Sequence, residues 1–526
     1  MSLESLPSDC LVSWMTLSSG MPKDSTGNFW GSRFPVREKL LVTDRSMYSM
    51  ARLTRLRKLS LTFSAKVSTK GWHELLLSCS SLDELEVQMN TPLHEVHNTC
   101  LESFYGSGPT NLLRMVMNYC PLISKLSLPC MLFNDEILST LPQSCPLLEE
   151  LTLSKAWKSL TLQYFHRGVS EDGICTFIRR CSDLRCLSIF SVRLLTSNKI
   201  FQCLADNAPR LERLCIDGQE ESVVNINALD LLASGCPLLQ HLTLPVMCTG
   251  AEWCSSYFSR RRDEGLNFAS DRVLPEVGFP CLTALHLGCN AWLQDHDMAS
   301  IGLACPSLAI LRMKYCDLLT GNALVHISDT CCNMMDLEIC QSTNFIYSDA
   351  HVSALAQGCP MLKRLRMPIN NSNEVTDEAI KALSLHCPLL EVLTLGGGSV
   401  TSPVDAAEIG GCFTDSALHS LSRGCLELTH LTLLGCKGIG QKDKFSTAMM
   451  LENCRRIRHV ELIECENIDE SVLEALFAVL DRHSILRRRL ALWLENPGAK
   501  LRYESRIVQQ CEMHLVSLNF CFQSFI

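Results

Sequence analysis

The sequence has no apolar run near the ~18 residues a membrane span needs. It also has no basic stretch followed by an apolar core at its start. Neither a membrane partner nor a secretory signal is expected. Charge of one sign is lacking too: 47 Lys and Arg stand against 56 Asp and Glu, a net charge of −9. No general affinity for nucleic acid follows from such a balance. Phosphate-loop, zinc-protease and nucleophile-elbow motifs are absent, so no catalytic or cofactor-binding residue is expected. The 30 cysteines contain no CxxC pair. His94 and His97 could share a metal, yet no cysteine or carboxylate set at ligand spacing accompanies them, so no metal site is expected.

What the chain does have is one unit of sequence, repeated. Its clearest copy, Glu374 to Leu395, reads EVTDEAIKALSLHCPLLEVLTL. Thr376-Asp377 supplies a polar start, as a helix N-cap requires. Ala379, Ile380 and Leu383 follow at helix spacing, and Leu390, Leu393 and Leu395 end in the alternation of a short strand. A helix, a tight turn and a strand of this size cannot bury their own apolar face, so they must stack on copies of themselves. With Cys387 as an anchor, apolar residues recur at anchor +3, +6 and +8. The anchors are Leu53, Cys79, Cys120, Cys145, Cys181, Ala208, Cys236, Phe279, Cys305, Cys331, Cys359, Cys387, Cys425 and Cys454. Eleven of the 14 are cysteine. A position this regular asks for a small buried side chain, which free cysteine supplies, and a reducing compartment, cytoplasmic or nuclear, is expected.

The repeat is similar to the cysteine-containing leucine-rich repeat, LxxLxLxxCxxITDxxLxxLxxxCPxL, from Leu53 to about Cys465. That resemblance implies an α/β solenoid, a horseshoe with a parallel β-sheet on the concave face and helices on the convex face. Residues 1–52 lack the repeat. Their opening, Leu6-Pro7-Ser8-Asp9-Cys10-Leu11-Val12, continued by Trp14-Met15, resembles the start of an F-box, whose first helix begins LPxxxL. After Leu17 the sequence departs into SSGMPKDSTGNFWG, rich in breakers. The segment is therefore either a degenerate F-box-like element or an N-terminal cap for the first repeat, which needs one. In the F-box reading, Leu6, Pro7, Leu11 and Trp14 would contact a Skp1-like adaptor.

Residues 53–480 form the expected solenoid of about 14 repeats, with insertions near 90–109, 154–170, 246–278 and 396–411. All four are expected along one rim, where long loops are often functional. The largest carries Trp253 and Tyr257 beside Arg260, Arg261 and Arg262 and is a candidate recognition loop. Residues 481–526 read as weak terminal repeats and a C-terminal cap, with Leu490–Leu492 and Leu515–Phe520 as further strands.

With +3, +6 and +8 facing the core, positions +5, +7 and +9 must face the open side of the sheet. The +5/+7 pairs include Glu84/Glu86, Glu150/Thr152, Asp336/Glu338, Arg364/Arg366, His430/Thr432 and His459/Glu461, with Arg312 at +7 and Lys314 at +9 of one repeat. Their sign changes from repeat to repeat, which suits a protein partner with complementary charges. Arg312, Lys314, Asp336, Glu338, Arg364, Arg366, His430, His459 and Glu461 are thus the expected partner-binding residues. The resemblance implies a non-catalytic substrate receptor of a Skp1–cullin–F-box ubiquitin ligase. The alternatives are a leucine-rich-repeat scaffold in a larger, for example cytoskeletal, assembly and an activator of a small GTPase. The basic tail beyond Asp481 speaks against the activator.

Overall fold

The computed structural model describes residues 42–62, 67–88, 112–129, 133–154, 169–192, 199–218, 226–244, 278–289, 293–314, 316–340, 342, 345–369, 374–396, 411–463, 467, 470–482, 491–494 and 517–519. The chain divides into two compact units, Met1–Pro245 and Val246–Ile526.

The first unit alternates helix and strand: α1 (Asp44–Ala51), β1 (Lys58–Thr62), α2 (Thr69–Ser78), β2 (Glu84–Gln88), α3 (Leu112–Tyr119) and β3 (Lys125–Pro129). It continues with α4 (Asp135–Ser144), β4 (Glu150–Ser154), α5 (Glu171–Arg180), β5 (Cys186–Val192), α6 (Lys199–Asn207), β6 (Arg213–Gly218), α7 (Ile226–Gly235) and β7 (His241–Thr243). The strands pair in chain order and in parallel. The register sets the +6 leucines side by side: Leu59, Leu85, Leu126, Leu151, Leu187, Leu214 and Leu242. None is more than 2% exposed.

The second unit repeats the design with β8 (Ala284–Cys289), α8 (Asp295–Ala304), β9 (Ile310–Lys314), α9 (Asn322–Thr330), β10 (Asp336–Cys340), α10 (Asp349–Gly358) and β11 (Arg364–Met367). There follow β12 (Val375–Thr376), α11 (Asp377–His386), β13 (Val392–Leu395), β14 (Gly411–Cys412), α12 (Asp415–Gly424), β15 (His430–Leu434), α13 (Ser446–Asn453), β16 (His459–Ile463), α14 (Glu470–Arg482), β17 (Ala491–Leu494) and β18 (Ser517–Asn519). β12 and β14 form a separate two-stranded parallel pair, and the other strands again run parallel in chain order. The spine here is Leu285, Leu311, Leu337, Leu365, Leu393, Leu431 and Val460, each fully buried.

Two kinds of hydrogen bond recur between successive repeats. In the first, the anchor thiol points at the carbonyl of the preceding anchor: Cys79 to Leu53 at 3.5 Å, Cys359 to Cys331 at 3.6 Å, Cys387 to Cys359 at 3.7 Å and Cys454 to Cys425 at 3.5 Å. Cysteine is therefore more than a small apolar filler at this position: it is also a weak donor to a buried carbonyl. In the second, an aspartate in the first turn of a helix grips the cap residue of the next helix through both oxygens. Asp44 holds Ser68, Asp135 holds Ser170, and Asp295 holds Thr320, the residue before the Gly321 cap. Asp349 holds Thr376 and Asp377 holds Thr414. The held residue in turn caps its own helix: Ser68 accepts from the Lys70 N–H, Thr376 from Glu378 and Thr414 from Ser416. The polar pair read from the sequence as a helix start thus has two separate roles. The first residue caps, and the aspartate after it reaches forward.

Close helix packing sets one more requirement. A Cβ on Gly424, the last residue of α12, would lie 2.0 Å from the Ser384 carbonyl oxygen of α11. Only glycine lets the two backbones approach this closely.

Candidate functional site

In each unit the buried strand residues alternate with half-exposed polar ones, so the +5 and +7 positions line the sheet face opposite the core, as the period-two reading requires. In the first unit the +5 row pairs across neighbouring strands. Lys58 Nζ lies 2.6 Å from Glu84, Lys125 Nζ 2.7 Å from Glu150, and Arg213 3.0 Å from Glu150 on the far side of β5. Ser60 donates to Glu86 at 2.8 Å. The alternating signs, expected to meet a partner's charges, here meet one another within the sheet. Lys125 is held above its usual pKa by its hydrogen bond to Glu150.

In the second unit the charged face is denser. Arg312 of β9 bonds Asp336 through Nη2, and its Nε lies 3.6 Å from Glu338. From the other side, Arg364 Nε donates to Asp336 at 2.9 Å and Arg366 Nη1 to Glu338 at 3.3 Å. The structure corrects one expectation. Arg312 and Asp336 do not present themselves to solvent: they are 6% and 0% exposed. Parallel register puts Asp336 beside Arg364, and the flanking guanidiniums of Arg312 and Arg364 close over its carboxylate. Lys314, Glu338, Arg364 and Arg366 are half-buried. Next along the sheet, His430 and His459 stack tilted, with ring centroids 6.0 Å apart. Glu461 accepts from Thr432 at 3.2 Å and lies 3.7 Å from His459. Desolvation, and then the charges of His459, Arg366 and Arg458, push the His430 pKa down to about 4. At neutral pH this imidazole is uncharged.

The structure therefore brings Arg312, Lys314, Asp336, Glu338, Arg364 and Arg366 together on three adjacent strands, with His430, His459 and Glu461 farther along. Leu6, Pro7, Leu11, Trp14, Trp253, Tyr257, Arg260, Arg261, Arg262, His94 and His97 lie outside the described residues, as do most of the four insertions. Among the described residues, no helix is long and apolar enough to cross a membrane, and no group of three or more His, Cys, Asp or Glu could hold a metal ion. The anchor thiols are buried, and desolvation pushes those of Cys120, Cys236, Cys305, Cys359, Cys387 and Cys425 up to about 12. At neutral pH they are not nucleophiles. Cys331 is buried at its anchor, while the adjacent Cys332 is exposed. Sequence reasoning missed the aspartate ladder. Its signal, an Asp directly after the cap residue at 135, 349, 377 and 415, was present in the sequence.

No family model matches the chain. In an alignment of 226 positions that covers 35% of this chain and 32% of that protein, it is 24% identical to F-box protein MAX2 homolog A of Petunia hybrida. In an alignment of 174 positions that covers 31% of this chain and 52% of that protein, it is 24% identical to F-box protein SKIP1 of Arabidopsis thaliana. The chain thus spans about a third to a half of the curated relatives it matches. Among solved structures it is similar to a chain of the yeast Rad7 and Elc1 complex (TM-score 0.44, 16% identity, 84% of this chain and 95% of that one). It is also similar to an internalin, inlF, of Listeria monocytogenes (TM-score 0.36, 13% identity, 83% and 87%). With a helix, a turn most often anchored by cysteine, and a parallel strand recurring along each unit, and a leucine spine in register, each unit has the α/β leucine-rich-repeat fold, and over part of its length the chain is similar to two F-box proteins.

Proposed function

We propose that this chain is a non-catalytic recognition protein that holds a protein partner on the open face of its sheet and serves as a substrate receptor of a Skp1–cullin–F-box ubiquitin ligase. The observation that carries the recognition part is the in-register set of charged side chains on β9, β10 and β11, on the sheet face away from the core, with His430, His459 and Glu461 beyond the uncharged Val392 and Thr394 of β13. A surface so built is rigid, because every strand is fixed by its neighbours, and rigid surfaces lose little entropy on binding. The ligase part is supported by the two relatives named as F-box proteins and by the Leu6–Met15 opening. The buried, free thiols suit a reducing compartment, the cytoplasm or the nucleus.

The test is capture of purified Skp1 by the full chain, wild type and with Leu6→Ala and Trp14→Ala. Capture lost in the double variant supports the receptor. Absence of capture by the wild type removes the ligase and leaves a scaffold built on the same face.

A further inference from the structure

The charges on the open face of the second unit do not balance. Strands β9, β10 and β11 carry Arg312, Lys314, Arg364 and Arg366 against Asp336 and Glu338, an excess of two cations in a chain of net charge −9. The two signs also sit at different depths. The Asp336 and Glu338 side chains are 0% and 14% exposed, while those of Arg364 and Arg366 are 35% and 30% exposed. The carboxylates thus act as an inner support, and what the face shows outward is guanidinium. A guanidinium has five N–H donors in a planar fork. Arg364 meets Asp336 through Nε and Arg366 meets Glu338 through Nη1, which leaves the other N–H groups of both for a ligand. Beneath them the cluster is itself incomplete. Arg312 Nη1 and Asp336 Oδ1 are buried and have no hydrogen-bond partner among the described residues. Buried charged atoms are ordinarily paired.

We infer that this face holds an acidic segment of a protein partner, with carboxylate side chains seated on Arg364 and Arg366. The inference rests on the proposal that the partner lies on the open face, but not on the ligase. Charge complementarity selects the segment. A basic peptide would meet the outward guanidiniums, while an acidic peptide neutralises the excess. The row in the first unit offers no such excess, since Lys58, Lys125 and Arg213 are matched by Glu84, Glu86 and Glu150.

The test is fluorescence anisotropy of the full chain with a fluorescein-labelled decapeptide of alternating Glu and Ala. The Lys–Ala decapeptide and an oligothymidylate serve as competitor classes. The Glu peptide is expected to bind, more weakly as salt rises, and neither competitor is expected to displace it at equal concentration. Arg364→Gln with Arg366→Gln is expected to weaken it by about tenfold or more, with glutamine keeping an N–H toward each carboxylate. Thr394→Glu, which adds a carboxylate beside Arg366 and removes no ion pair, should weaken it as well. Lys125→Gln in the first unit should leave it unchanged. No binding by the Glu peptide, equal binding of either other probe, or unaltered affinity in Thr394→Glu overturns the inference. Peptide binding without Skp1 capture leaves it standing while the ligase reading falls. Skp1 capture without peptide binding does the reverse.

Discussion

Asp349 and Thr376 lie in successive repeats and meet at two points: the Thr376 N–H donates to Asp349 Oδ1 at 2.8 Å, and its hydroxyl to Oδ2 at 2.6 Å. Asp349 Oδ1 also accepts from the Ala379 N–H at 3.2 Å. One side chain therefore joins two helices that neither the leucine spine nor the cysteine ladder touches at this end. A hydrogen bond to a charged acceptor contributes ~1.5–3 kcal/mol, and because Asp349 is partly exposed, water replaces part of what the three bonds supply, so the loss is well below their sum. Asp349→Ala is expected to lower stability by about 2–3 kcal/mol in urea denaturation. Asp349→Asn, which keeps one acceptor oxygen, should lower it less.

Leu393 of β13 and Leu385 of α11 belong to the same repeat and face opposite environments. Leu393 is 0% exposed in the spine, and Leu385 on the outside of α11 is 73% exposed. Leu393→Asp buries an unpaired charge, a loss of several kcal/mol, and should unfold the neighbouring repeats with it. Leu385→Asp should stay within about 0.5 kcal/mol of wild type. Circular dichroism melts of both variants check the pair, and equal melting temperatures would remove the assignment of the spine.

Thiol chemistry follows burial. Cys387 titrates near about 12 and Cys454 near about 11 because burial disfavours the thiolate, whereas Cys332 is exposed. Iodoacetamide at pH 8 should modify Cys332 in the native protein and leave Cys387 and Cys454 intact. In guanidinium chloride all three should react. Peptide mass spectrometry reads the outcome, and native labelling of Cys387 would place it outside the core.

His430 titrates well below an ordinary histidine, near about 4. Between that value and ~6.5 the unfolded chain binds a proton that the folded chain does not. The sign is therefore a loss of stability as pH falls through this window. Solvent on its exposed side keeps the loss small, so the ring resonance is the better measure. In NMR the His430 ring should stay neutral at pH 5.5. His459→Ala should raise its pKa by removing one of the charges that repel the proton. A titration near 6.5 in the wild type would contradict the geometry around Arg366 and Arg458.

The chain's own pattern determined the architecture of each unit, for a local reason. Spacing at +3, +6 and +8 is imposed by the pleat and the helix pitch, so it reads the same in every copy, and the in-register leucines follow from it. Cysteine burial was equally legible from its position. The alternation of charge at +5 and +7 was visible as well, yet its meaning was not. Whether Glu84 faces a partner or Lys58 depends on which strand lies beside which, and at what register. Only the tertiary structure placed Asp336 between Arg312 and Arg364 and left it without exposure. The forward reach of Asp349 to Thr376 was hidden for the same reason. It crosses 27 positions of sequence, and such a bond is decided by the stacking of one repeat on the next.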